Sequence, residues 1–291
     1  MELQRSSSSS SSSETSEAHT RGKSCGQTIG VFDSGVGGLT VARAILRRLP
    51  ATRLLYLGDT AHVPYGPRPL AQICDFAVQI IAFLIDRGAD AVVLGCNMSN
   101  AAGAGEAARA RFTQPIFEII RPGARAACAV TRNRRVGIIA TQGTINSGAY
   151  GRMVREGGAD AYEQACPAFV PLIERGLSAG PEVEAAVTAY LTPLRAAGID
   201  TLIFGCSHYP FLRVPIQRFL GEAVTLIDPA EYVAEEVALA SGAAGDPVTS
   251  AMSVHRFFCS GDPDSLQREG ERFLGLPLMH VEQVPVPVDA I

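Results

Sequence analysis

No uninterrupted apolar run in the 291-residue chain approaches the roughly 18–20 residues that span a bilayer, so no membrane helix is expected. There is no basic excess either. The net charge is −4 and the pI about 5.8, which argues against a nucleic-acid binder. The cysteines, Cys25, Cys74, Cys96, Cys128, Cys166, Cys206 and Cys259, include no C-x-x-C pair and are odd in number. In a chain this long a disulfide framework is therefore not expected, and a reducing cytoplasm fits better. The N-terminus lacks both the apolar core of a secretory signal and the repeated arginines of a transit peptide. What it has instead is an unbroken serine run from Ser6 to Ser13. Such a stretch has almost no apolar surface to offset the entropy of ordering, so residues 1–26 are expected to be a disordered Ser-rich extension.

From Thr28 onward, short apolar runs alternate with longer amphipathic stretches, and the hydrophobic content of 47% suits a globular enzyme. Residues 29–32, 53–57, 91–94, 135–140 and 201–204 read as strands. Residues 40–49, 70–87, 100–112 and 182–197 read as helices, and Pro50, Gly88 and Gly198 mark three of their ends. Strands alternating with helices imply an α/β fold with mainly parallel sheets. Within this rhythm lies an internal repeat. Gly88-Ala89-Asp90-Ala91-Val92-Val93-Leu94-Gly95-Cys96-Asn97 aligns with Gly198-Ile199-Asp200-Thr201-Leu202-Ile203-Phe204-Gly205-Cys206-Ser207. Each copy is a helix stop, an aspartate, a buried strand, then Gly-Cys and a small polar residue. The copies are far enough apart to sit in two similar domains.

Ligands of parallel α/β sheets bind at the carboxyl ends of strands, where both Cys96 and Cys206 fall. The preceding glycine allows a sharp turn and close ligand approach. Backbone N–H groups after each cysteine are expected to favour an anion, and with it the thiolate. The other cysteines read as small buried hydrophobes. Asp33 ends the first strand and His208 lies two residues after Cys206, so each thiol has a candidate proton-transfer assistant. A zinc site at Cys206-x-His208 would need further ligands, and no clustered Cys or His supplies them. The loop Gly35-Val36-Gly37-Gly38 lacks the full dinucleotide-binding spacing, and Asp33 would oppose a pyrophosphate. A Cys–His hydrolase would leave Cys96 unexplained. Racemisation needs two groups: one removes an α-proton from one face of a stereocentre and the other returns a proton to the opposite face. Two similar lobes presenting one thiol each would meet that need.

The longer motifs carry a resemblance. Gly30-Val31-Phe32-Asp33-Ser34-Gly35-Val36-Gly37-Gly38-Leu39, Gly58-Asp59-Thr60-Ala61-His62-Val63-Pro64-Tyr65-Gly66 and Gly95-Cys96-Asn97 come first. Ala140-Thr141-Gln142-Gly143-Thr144-Ile145-Asn146-Ser147-Gly148-Ala149-Tyr150, Cys166-Pro167-Ala168-Phe169-Val170-Pro171-Leu172-Ile173-Glu174 and Gly205-Cys206-Ser207-His208-Tyr209-Pro210 follow in order. From Thr28 to about Gly275 the chain resembles the bacterial glutamate racemases of the aspartate/glutamate racemase superfamily. The resemblance implies two similar doubly wound α/β lobes with the active site in the cleft between them, one from 27–120 plus 230–280 and the other from 121–229. It implies cofactor-independent two-base racemisation of L- and D-glutamate, supplying D-glutamate for peptidoglycan. Cys96, helped by Asp33, would handle the α-proton of the D-enantiomer; Cys206, helped by His208 with Glu174 nearby, that of the L-enantiomer. Ser34, Pro64, Tyr65, Gly66, Asn97, Met98, Thr141 and Ser207 would hold the substrate. No metal or cofactor is implied, and a homodimer is compatible with the sequence.

The chain departs from the family at one place that matters. The family usually continues its first cysteine motif as Asn-Thr-Ala-Ser, whereas Asn97 is followed here by Met98-Ser99-Asn100. The threonine hydroxyl is lost, and Ser99 is its candidate replacement. Losing one hydrogen bond to a charged group costs up to about 3 kcal/mol, so altered affinity is expected, and Met98→Thr would raise turnover if the departure is a handicap. The alternatives are a racemase of aspartate or another small amino acid, or a catalytically weak binding or regulatory protein.

Overall fold

The computed structural model describes residues 27–242, 255–278 and 280–286; the serine-rich segment and Cys25 lie outside the described residues. The chain builds two sheets in which every neighbouring strand pair is parallel. The first contains β1 (Thr28–Asp33), β2 (Arg53–Gly58), β3 (Ala91–Leu94), β4 (Ile116–Glu118), β9 (Arg256–Cys259) and β10 (Val281–Gln283), in the order β10-β9-β2-β1-β3-β4. The second contains β5 (Arg135–Ala140), β6 (Asp160–Ala165), β7 (Thr201–Gly205) and β8 (Thr225–Ile227), in the order β6-β5-β7-β8.

β1 shows why the first sheet is covered on both faces. All six residues are buried. Ile29 and Val31 pack in one cluster with Leu39, Val41 and Ile45 of helix α1 (Leu39–Arg48). Phe32 packs in the other with Ile73, Phe76 and Ile80 of helix α2 (Leu70–Asp86). Alternate side chains of a strand point to opposite faces, so a doubly covered strand must be apolar throughout. Each such side chain contributes about 1.5–3 kcal/mol when fully buried. At Gly30 there is no room for a side chain, since a Cβ there would come within 3.2 Å of both Leu84 and Ala89.

The sequence repeat is a repeat of structure. β3 pairs with β1 as β7 pairs with β5. The Asp90 carboxylate accepts the Thr28 N–H at 2.8 Å, and the Asp200 carboxylate accepts the Arg132 and Asn133 N–H groups at 2.7 and 2.8 Å. Each aspartate thus ties down the start of the neighbouring strand. Gly137 takes the place of Gly30, since a Cβ there would lie 2.6 Å from Ile199. The single helix expected over 100–112 is corrected to two short ones, α3 (Asn97–Ala101) and α4 (Ala104–Arg109). The break is at Gly103, whose φ of 80° is the left-handed conformation that glycine adopts without penalty.

Candidate active site

Both thiols leave their sheets at the same point. Gly95 N–H still pairs with the Phe32 carbonyl at 2.8 Å, so Cys96 emerges beside the end of β1, where Asp33 stands. Gly205 plays the same part before Cys206, and a Cβ there would lie 2.9 Å from Ala140 and 3.0 Å from the Ile139 carbonyl. Cys96 is the N-cap of α3. The turn is fastened by Asn100, whose amide nitrogen donates to the Leu94 and Cys96 carbonyls at 3.1 and 2.9 Å and whose oxygen accepts Ile119 N–H at 2.7 Å. The altered Met98-Ser99-Asn100 segment therefore carries its own support. Ser99, the candidate replacement for the missing hydroxyl, is fully buried beside the Cys96 thiol and is not among the residues lining the cavity.

The ends of the two sheets face one cavity of about 460 Å³. Asp33, Cys96, Glu174, Cys206 and His208 line it, as do Ser34, Pro64, Tyr65, Gly66, Asn97, Met98, Thr141 and Ser207. Every catalytic and substrate-holding residue expected from the resemblance is thus brought together. Sequence reasoning missed Gln142, Thr144 and Cys166, which also line it. Cys166 read as a core cysteine, and it is buried; only its neighbour, Pro167, in a motif shared with Glu174, hinted at the cleft. The two thiols are nearly closed off from solvent, Cys96 at 5% and Cys206 at 7% exposure.

Comparisons with known proteins meet this geometry. Residues 29–237 match the family described as Asp/Glu/Hydantoin racemase. A glutamate racemase of Beutenbergia cavernae is 46% identical over 261 residues, covering 85% of this chain and 89% of that one. A crystal structure of a glutamate racemase isoform from Bacillus anthracis superposes with a TM-score of 0.83 at 38% identity, covering 90% and 99% of the two chains. One from Francisella tularensis, in complex with D-glutamate, gives 0.79 at 32% identity and covers 89% and 98%. The chain belongs to the Asp/Glu/Hydantoin racemase family.

In this racemase the two thiols have different surroundings. Burial and the Asp33 charge push the Cys96 thiol up to about 11, against hydrogen bonding by Ser99 and Ser34. This corrects the expectation that the strand-end turn favours thiolate at Cys96: desolvation outweighs the local N–H groups. Asp33 is itself raised by burial, opposed by the His208 charge and by hydrogen bonds. Its carboxylate accepts Gly35 N–H at 3.0 Å and the Ser207 hydroxyl at 3.3 Å. On the other side, His208 Nδ1 lies 3.9 Å from Cys206 Sγ, and its Nε2 lies 3.3 Å from Glu174 Oε1, within ion-pair range. Burial alone would lower His208, but Cys206, Glu174 and Asp33 together raise it to about 10. Among the described residues it is the only cationic side chain lining the cavity of the racemase.

The repeat also shows how the two halves of this family member differ. In register, Asp33 corresponds to Ala140, and His208 corresponds to Met98. The helper of Cys96 thus comes from the adjacent strand, and that of Cys206 from the turn that follows it. The sheets meet through named contacts: Thr40 Oγ1 reaches the Ser207 carbonyl at 3.0 Å, and Tyr150 donates to Asn97 Oδ1 at 2.8 Å. Among the described residues no group of three or more His, Cys, Asp or Glu is arranged to hold a metal ion, and no helix is long and apolar enough to cross a membrane.

Proposed function

We propose that the protein interconverts L- and D-glutamate by a two-base mechanism, with Cys96 and Cys206 on opposite faces of the substrate α-carbon. The observation that carries this reading is the pair of Gly-Cys strand ends, each with its own helper, lining one cavity. One thiolate takes the α-proton, leaving a planar carbanion. The opposite thiol gives a proton to the other face, and the product is the mirror image. A buried thiol with its proton held on to about pH 11, as at Cys96, is suited to the donating step. At Cys206 the His208 imidazolium stabilises a neighbouring thiolate, and Glu174 orients the ring. Asp33, whose charge acts on the Cys96 thiol, would receive its proton when the direction reverses.

Among the described residues no arginine or lysine lines the cavity. The substrate carboxylates would be held by the hydroxyls of Ser34, Thr141 and Ser207, the Asn97 amide, and the backbone N–H groups that open α3 and the helix Gln142–Ser147. Pro64, Tyr65, Gly66 and Met98 close the walls. We take 27–120 with 230–280 as one working unit and 121–229 as the other. One chain supplies every proposed group, so a homodimer is not required by the chemistry. We place the reaction in the cytoplasm, where it would supply D-glutamate for peptidoglycan. The test is to follow optical rotation from pure L- and pure D-glutamate, with aspartate and other small amino acids in parallel. Glutamate should be racemised fastest; no exchange of its α-proton with deuterated solvent would sink the reading.

A further inference from the structure

We infer that Met98 is an interlobe latch: its thioether fills a notch at Gly143, holds the second lobe over Cys96, and so positions the site without binding substrate. The inference rests on the racemase reading above and gives a reason for the departure at residue 98.

The pseudo-symmetry supplies the first observation. Met98 and His208 each lie two residues after a thiol. His208 packs across the lobe boundary onto Gly37, in the loop after β1: a Cβ on Gly37 would overlap the Ser207 hydroxyl and lie 2.5 Å from His208 Nδ1. Met98 crosses the opposite way onto Gly143, in the helix that follows β5: a Cβ there would lie 2.8 Å from the Met98 sulfur and 3.0 Å from its methyl carbon. The two contacts are reciprocal. Neither glycine has a positive φ, so space and not backbone conformation demands a glycine at both.

Confinement is the second observation. Met98 is only 6% exposed and lines the cavity. The Gly66 carbonyl would also lie 3.0 Å from a Cβ on Gly143, so the notch is bounded by backbone as well as by the thioether. A displaced thioether has the substrate cavity to enter. Immediately before it in sequence, Asn97 accepts the Tyr150 hydroxyl from the other lobe. Two successive residues therefore join the lobes, one by a hydrogen bond and one by packing. Methionine suits the second task because its unbranched, polarizable side chain adapts to irregular gaps. A thioether has no proton to give, so on this side the relay falls to Asp33.

The test is a cycle of Met98→Thr, Gly143→Ala and the double variant, with Met98→Leu as the conservative control. Gly143→Ala should push the thioether into the cavity and raise KM for glutamate about tenfold, with kcat within about threefold, as overpacking of a flexible neighbour does. Adding Met98→Thr should remove most of that effect, because contacting residues couple. Met98→Thr alone should raise KM and speed alkylation of Cys96 by iodoacetamide about tenfold, by opening a cavity at the latch, while Met98→Leu, which keeps the apolar bulk, should raise both by a smaller factor. A Gly143→Ala effect of equal size in both backgrounds would overturn the inference. So would Met98→Thr with lower KM or with unchanged Cys96 alkylation. If the wild-type protein fails to racemise glutamate, the substrate reading falls, and the alkylation arm still decides the latch.

Discussion

A thiol held to about pH 11 is mostly protonated at neutral pH, so at Cys96 the chemistry starts from a proton donor. His208 keeps its proton to about pH 10, so on the other side a cationic imidazolium stands 3.9 Å from Cys206 Sγ at neutral pH. The asymmetry lets kcat and KM differ between directions but not their ratio. A racemisation equilibrium lies at unity, so kcat/KM must follow one pH profile from either enantiomer. The rate is expected to fall as pH rises past about 10, when His208 loses its proton. His208→Asn should cut kcat by about 10²–10⁴-fold and move the alkaline limb toward about 11, where Cys96 governs it. Full pH profiles of both proteins check this, and an unmoved limb counts against the assignment. Glu174→Gln should draw the same limb to lower pH, since Glu174 helps to raise His208.

Short elements carry the thiols, and the joins between elements decide how the lobes meet. Tyr150 reaches Asn97 from helix Ala149–Glu156, where its ring is fully buried. Tyr150→Phe leaves the Asn97 oxygen short of a buried donor, which costs about 1–3 kcal/mol. A higher KM for glutamate and a lower Tm should follow; unchanged values for both would remove Tyr150 from the interlobe contacts. Strands β1, β2, β3, β5 and β7 were legible in the sequence as apolar runs; β4, β8 and β10, of three residues each, the four-residue β9 and the half-exposed β6 were not. Nor was the break at Gly103, because the surrounding alanines continue the helical pattern and a single left-handed glycine gives no periodic signal. Both thiols, Asp33 and His208 were legible from strand ends and the repeat; Glu174 and the binding residues came through the resemblance. Cys166, Thr144 and the Asn100 staple were missed. Their roles depend on distant partners, as Asn100 shows by holding Ile119, and spacing alone cannot reveal those.

For the whole molecule, the charges buried at the lobe boundary link stability to pH. A group raised above its unfolded value stabilises the fold fully below that unfolded value and loses the contribution as pH climbs through the folded one. For His208 the window runs from about 6.5 to about 10, and for Cys96 from about 9 to about 11. Both have the same sign, so Tm should fall across pH 7–10 by several degrees, since ~1 kcal/mol corresponds to about 2–4 °C in chains of about 150–250 residues. His208→Asn should flatten that decline; a slope equal to wild type would contradict the linkage. The central claim is that one chain places a thiol on each face of a single α-carbon. It is tested most directly by incubating Cys96→Ala and Cys206→Ala with each pure enantiomer in deuterated water, reading optical rotation and α-deuteration together. Neither variant should racemise, and any labelling should be confined to D-glutamate with Cys206→Ala and to L-glutamate with Cys96→Ala. Racemisation at the wild-type rate by either variant would contradict the account.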